Sequence, residues 1–269
     1  MRLAVSNIAL PPFGGAAEFE KLAAFGIDGL EIAPSRRWED TWHGLSAGDV
    51  EALRSEAEEC GLTIVGLHSL FFDHPDLGLF RDRTTRAASL DFLTHLSGVC
   101  RDLGGHTLIW GGGRRRGQMP LDQARDEARS FITELCRRIE DHGTCICFEP
   151  LGPNDSDFIN STYDALALAQ DIDHRAFAVQ LDAKALVDNG EARRGTFDDV
   201  AARLVHFHAN EPGLGVLGTS GTVDHAAFGD WLRNLDYSGF VSLEQRQLND
   251  AAPFDDIERS LMLMKRCYG

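Results

Sequence analysis

The fold this sequence predicts is a single-domain α/β structure, the (β/α)8 TIM barrel, spanning residues 1–269. Three observations carry the prediction. Eight short runs of strand character alternate with helical patterns from end to end. The 269 residues fit the ~250 typical of such a barrel. Acid and imidazole side chains close many of the strand runs instead of gathering at one crossover, which favours the closed barrel over the open doubly wound sheet. No G-x-G-x-x-G follows the first strand, so a dinucleotide-binding sheet has little support.

The elements follow in order. Arg2-Leu3-Ala4-Val5-Ser6 is the first strand, and further strands begin near Asp28, Leu62, His106, Thr144, Ala176, Leu204 and Gly239. Between them, apolar residues recur with the 3.6-residue helical period. Ala47–Cys60 carries Val50, Leu53 and Ala57; Thr84–Leu103 carries Leu90, Leu93, Leu96 and Cys100; Leu121–Ile139 carries Ala128, Phe131, Ile132 and Leu135. Ser161–Ile172 and Ala226–Leu235 are shorter versions, and Phe254–Met264 closes the chain. Gly26, Gly61, Gly104, Gly143 and Gly239 each stand between a helix and the next strand, where a left-handed residue ends the helix.

Composition narrows the function. Charged residues at 25% and hydrophobic residues at 43% are ordinary for a soluble globular protein. A net charge of −16 disfavours nucleic acid and anionic membrane surfaces as partners. No apolar stretch reaches the ~20 residues that span a bilayer. The N-terminus reads as a strand and lacks the apolar core of a signal peptide. Cys60, Cys100, Cys136, Cys145, Cys147 and Cys267 form no C-x-x-C pair. Reduced thiols and a cytoplasmic location are therefore expected.

Four strand runs end on a side chain that binds metals. They are Cys145-Ile146-Cys147-Phe148-Glu149, Ala178-Val179-Gln180-Leu181-Asp182, Leu204-Val205-His206-Phe207-His208 and Phe240-Val241-Ser242-Leu243-Glu244. Alternation along a strand puts Glu149 on the face of Cys145 and Cys147, with Ile146 and Phe148 opposite. Glu149, Asp182, His208 and Glu244 then converge at the mouth of the barrel as a mixed oxygen and nitrogen site for a divalent metal. The other strand ends bring Ser6, Asn7, Glu31, His68 and Trp110 to the same mouth. Parity places Gly66 and His68 inward, and Val65 and Leu67 outward against helices.

These motifs resemble the xylose-isomerase-like barrel superfamily, in its branch of sugar-phosphate isomerases and epimerases. The resemblance rests on Cys147-Phe148-Glu149-Pro150, Gln180-Leu181-Asp182, His206-Phe207-His208-Ala209-Asn210, Ser242-Leu243-Glu244 and the turn Gly221-Thr222-Val223-Asp224. It implies one Mn²⁺, Mg²⁺, Co²⁺ or Zn²⁺ ion held by Glu149, Asp182, His208 and Glu244. It also implies a cis-enediolate route in which Glu149 and Glu244 exchange a proton with the substrate carbon. The chain departs from the family at substrate-gripping positions. Ala185 stands where many members place a His, and Leu214 where epimerases commonly place an Arg. Trp110 and Ala185 stand where the three-metal apurinic endonucleases need histidines.

The expected partner is a small sugar-like molecule, with a homodimer or homotetramer as the assembly many such barrels form. Its contacts are expected from His68, Glu31, Trp110, Lys184, Arg246 and Arg114. His68 also reads as a group orienting a ligand, Glu31 as a structural ion pair, and Arg114-Arg115-Arg116 either as an anion grip or as a solvated loop. Arg36, Arg37 and Trp38 are candidates to cover the mouth, and Phe71 and Phe72 to form a lid. The leading function is a metal-dependent isomerase or epimerase. The alternatives are a dehydratase or lyase on a related polyol, an abasic-site endonuclease, and a barrel that binds sugar without catalysis.

Overall fold

A computed structural model describes residues 1–269. Its strands are β1 (Arg2–Ser6), β2 (Gly29–Ile32), β3 (Thr63–Leu67), β4 (Thr107–Trp110), β5 (Cys145–Phe148), β6 (Phe177–Asp182), β7 (Leu204–Ala209) and β8 (Phe240–Leu243). All neighbours are parallel, and β8 closes on β1 through Ala4 opposite Ser242. The helices are α1 (Ala16–Ala24), α2 (Ala47–Glu59), α3 (Arg83–Asp102), α4 (Leu121–Arg138), α5 (Thr162–Ile172), α6 (Ala183–Asp188), α7 (Arg194–Val200), α8 (His225–Asn234) and α9 (Pro253–Tyr268). None is long and apolar enough to cross a membrane.

The main core is a layer of 64 buried residues between the strands and the helices. Two small clusters fill the barrel axis: Ile109, Cys145, Cys147 and Ala178 in one, Ala4, Val65 and Phe240 in the other. All six cysteines are free thiols.

Register decides what reaches the mouth. Asp182 pairs with His208 and His208 with Ser242, so Glu244 stands two residues beyond that layer. Two bulges adjust the pairing, one between Leu30 and Glu31 and one between Val179 and Gln180. The first turns Val65 into the axis, correcting its expected outward position, because the extra residue in β3 breaks simple alternation.

Other expectations also change. Trp110 does not face the mouth. It packs in the outer layer against Phe71, Phe131 and Phe148, with ring centroids 5.6, 5.6 and 5.1 Å away. Ile109 takes the inward parity of β4. Gly26, Gly61, Gly104 and Gly143 have positive φ, but Gly239 does not; Asp236 (φ 52°) makes the turn after α8 instead. Phe71 is buried against Trp110 and Phe92 while Phe72 is 78% exposed. The short helices α6 and α7 carry too few turns to show a period in sequence.

Candidate active site

At the C-terminal mouth of the barrel, ligand atoms of Glu149, Asp182, His208 and Glu244 all lie within 4.8 Å of one another. His208 Nδ1 is the hub. It stands 3.0 Å from Glu149 Oε1, 3.5 Å from Glu244 Oε2 and 3.8 Å from Asp182 Oδ2. The opposite ring nitrogen, Nε2, lies 3.1 Å from Glu31 Oε2. With the proton on Nε2 and donated to Glu31, the Nδ1 lone pair is left facing the three carboxylates.

Glu31 is fully buried beneath the site. Ser242 Oγ donates to it at 2.8 Å, and His206 Nε2 approaches to 3.1 Å outside hydrogen-bond geometry. Burial pushes the Glu31 carboxyl up, but His208, His206 and His68 outweigh that and hold it well below the usual range. It lies against His208 Nε2 and does not line the cavity over the cluster, so the structural ion pair is the reading the geometry supports.

Each carboxylate is oriented by a different element. Asp182 ends β6 and caps α6, its Oδ1 accepting from Ala185 N at 2.7 Å. Its Oδ2 accepts from Asn210 Nδ2 at 2.5 Å, and the same amide donates to Glu244 Oε2 at 2.8 Å. Glu244 Oε1 stands 3.6 Å from His68 Nδ1, while His68 Nε2 is fixed by Ser6 Oγ at 2.6 Å. Glu149 N–H donates to Trp110 O at 3.3 Å, and Gly111 beside it leaves space that a Cβ would fill.

The electrostatics are those of an anionic cluster with one imidazole. Burial and the charges of Glu149 and Glu244 push the Asp182 carboxyl far up. Burial opposes charge on Glu244 too, but His208 and His68 prevail and hold it low. Burial likewise lowers His208, and Glu31 and Glu244 more than reverse it. Buried carboxylates crowded together are costly unless a cation joins them. A set of carboxylate oxygens and one neutral imidazole suits Mg²⁺, Mn²⁺, Co²⁺ or Zn²⁺. The residues present therefore fit a divalent ion.

A cavity of about 350 Å³ opens over this cluster, lined by Glu149, Asp182, Glu244, Asn210, Lys184 and Leu214 among others. That volume suits a small ligand. Lys184 reaches its rim, tied to Asp155 at 2.7 Å and Asp188 at 2.8 Å. Ala185 and Leu214, the two departures from the family's grip, both line this wall.

Arg114 is placed otherwise than expected. Its guanidinium is buried and gives four of its five N–H donors to the carbonyls of Gly111, Phe158, Ile159 and Glu149. It braces the loops after β4 and β5; burial lowers it to about 10. Arg115 and Arg116 bond to the carbonyls of Asn154, Asp157 and Met119. Arg246 is exposed and borders a second cavity beside the mouth. Two residues were not singled out from sequence. Asn210 bridges Asp182 and Glu244; in the sequence it appears only as the last residue of the His206–Asn210 motif, with no role of its own. Gly111 gave no signal, because its role is empty space.

A closed parallel barrel carrying acid and imidazole groups at its C-terminal mouth defines a class built to act on small molecules there. Residues 19–267 match the model of the xylose isomerase-like TIM barrel, and the chain belongs to that family. It is 26% identical over 197 residues to fructoselysine 3-epimerase of Escherichia coli O157:H7, covering 71% of this chain and 69% of that protein. It superposes on D-psicose 3-epimerase from Clostridium cellulolyticum H10, solved with D-tagatose, with a TM-score of 0.84 at 18% identity, covering 100% of this chain and 99% of that one. The apo 3-keto-D-glucoside 4-epimerase of E. coli gives a TM-score of 0.83 at 20% identity, covering 99% and 100%.

Proposed function

We propose that this chain is a divalent-metal-dependent epimerase or isomerase of a small sugar or sugar derivative. The observation that carries the reading is the convergence of Glu149, Asp182, His208 and Glu244 within 4.8 Å at the floor of a cavity. The relatives named as sugar epimerases support it. These four residues would hold the ion, whose chemistry is that of a Lewis acid easing negative charge on substrate oxygens.

The chain's own groups then handle the proton. Glu149 and Glu244 enter from β5 and β8, from different parts of the ring. One carboxylate takes the proton from the carbon next to the carbonyl, and the other returns a proton to that carbon's opposite face. Asn210 and His68 aim Glu244, and Glu149 faces His208 Nδ1 at 3.0 Å as a fellow ligand of the ion the cluster would hold. Glu31 fixes the His208 tautomer, with Ser242 steadying Glu31.

The test is incubation of the metal-loaded protein with ketoses in deuterated water. Solvent deuterium is expected at the carbon next to the carbonyl. Glu149→Gln and Glu244→Gln are each expected to slow exchange by ~10²–10⁴. Full exchange in both variants would overturn the scheme, and a product lighter by one water would replace epimerisation with dehydration.

A further inference from the structure

A second cavity of about 650 Å³ lies beside the mouth, and two arginines on its wall lack acidic partners. Leu214 lines both this cavity and the one over the carboxylate cluster. Arg246 follows Glu244 by two residues, and its backbone N–H donates to Leu214 O at 3.0 Å. The two spaces therefore adjoin at Leu214.

Several cations near the barrel are already neutralised by acids. Arg37, Arg86, Arg138 and Lys184 each close on a carboxylate. Arg36 and Arg246 do not. Arg36 Nη2 donates to Leu10 O at 2.5 Å and Gln247 Oε1 at 3.2 Å, while its Nε is buried with no acceptor. Burial alone lowers Arg36, with no neighbouring acid to offset it. Arg246 forms no side-chain bond within the protein and is free to turn toward a ligand. Asp250 shares the wall, but its carboxylate accepts from Gln247 Nε2 at 3.0 Å and pairs with neither arginine. Arg36 Nη1 and the whole Arg246 fork make no bond within the protein, and these are the donors an anionic ligand in the cavity would meet.

We propose that Arg36 and Arg246 bind an anionic group, a phosphate or a carboxylate, carried on the substrate beyond its reacting carbons. The proposal deepens the epimerase reading and rests on it for the word substrate. It also moves the anion grip from Arg114, which is buried against four loop carbonyls, to Arg36 and Arg246. Fixed guanidinium forks suit both anions, and a cavity of this size suits the remainder of a small ligand.

The experiment has a binding arm and a rate arm. Inorganic phosphate and acetate are titrated calorimetrically into the metal-loaded wild type, Arg246→Gln and Arg36→Gln, with metal content measured in each. Arg246→Gln is expected to weaken the bound anion by about 10- to 100-fold at unchanged metal content. Arg246 is exposed, so this variant does not depend on Arg36, which also braces Leu10. In the rate arm, kcat/KM for a ketose phosphate and for a ketose linked to a carboxylate is divided by that for the matching neutral ketose. Arg246→Gln is expected to cut one of the two ratios by about 10- to 100-fold, and which ratio falls identifies the anion. Anion binding that survives in Arg246→Gln, or ratios that stay level, overturns the proposal. Arg246-dependent phosphate binding in a protein that turns over no ketose keeps the anion site and overturns the epimerase reading instead.

Discussion

Replacing Gly111 by alanine tests the site through the smallest change available. Gly111 directly follows β4, and a Cβ there would fall inside 3.0 Å of Glu149 Oε2, closer than real Cβ contacts come. Its φ is not in the left-handed region, so the backbone accepts alanine. The neighbour that must give way is a side-chain end, not backbone. To reach ordinary contact at 3.4 Å, the Glu149 carboxylate has to retreat by on the order of 1 Å. Yet its other oxygen faces His208 Nδ1 at 3.0 Å within the ligand cluster, so the retreat breaks the alignment of the cluster. A misplacement of about 1 Å costs roughly 10²-fold in rate, and loss of ligand orientation costs about 10- to 100-fold in metal affinity. Stability moves little, because alanine gains about 0.4–1 kcal/mol through the unfolded chain while the clash is relieved by a side chain. The assay pairs steady-state kinetics on the active ketose with metal titration and a urea melt. Wild-type turnover together with wild-type metal affinity would refute the reasoning, and a loss of several kcal/mol without loss of metal would show that the clash falls on the fold.

Two further predictions concern residues outside the chemistry. Arg114→Met leaves the carbonyls of Phe158, Ile159, Gly111 and Glu149 without their donor, so about 3–5 kcal/mol of stability is expected to go, measured by urea unfolding; a loss under about 1 kcal/mol would contradict the brace. His225 sits between Tyr268 Oη at 2.7 Å and Glu211 Oε1 at 3.1 Å, with Asp224 nearby, and burial lowers it below 6.5 against the pull of Glu211 and Asp224. Its neutral form is the folded one, so its contribution is complete above pH 6.5 and fades as pH falls toward the depressed value. Thermal melts of His225→Gln are expected to show a shallower decline than wild type as pH falls below 6.5, and parallel declines would rule the device out.

The strands were legible because each is a short apolar run between turn residues. Observed starts differ from those read in the sequence by no more than one residue, as with Gly29 for Asp28 and Cys145 for Thr144. Parity failed where a bulge intervened, at Val65, and where a strand's last residue faces outward, at Trp110. On β4, Ile109 took the axis and Trp110 the helix layer, since the last ordered residue and the first inward one need not coincide. Arg114 misled for a different reason. A triple arginine after three glycines has the composition of an exposed anion loop, but composition does not reveal which carbonyls will need donors once two loops meet.

By itself, the order of runs along the chain determined a β/α barrel and which side chains end its strands, because alternation and period are local properties of the backbone. Only the closed barrel decided which of those ends meet. Asp182, His208 and Ser242 share a layer through strand register, Glu31 comes under His208 from far along the chain, and Asn210 bridges two acids. The unpaired guanidiniums of Arg36 and Arg246 likewise exist only in three dimensions, since whether a charge finds its partner depends on distances that ring closure sets.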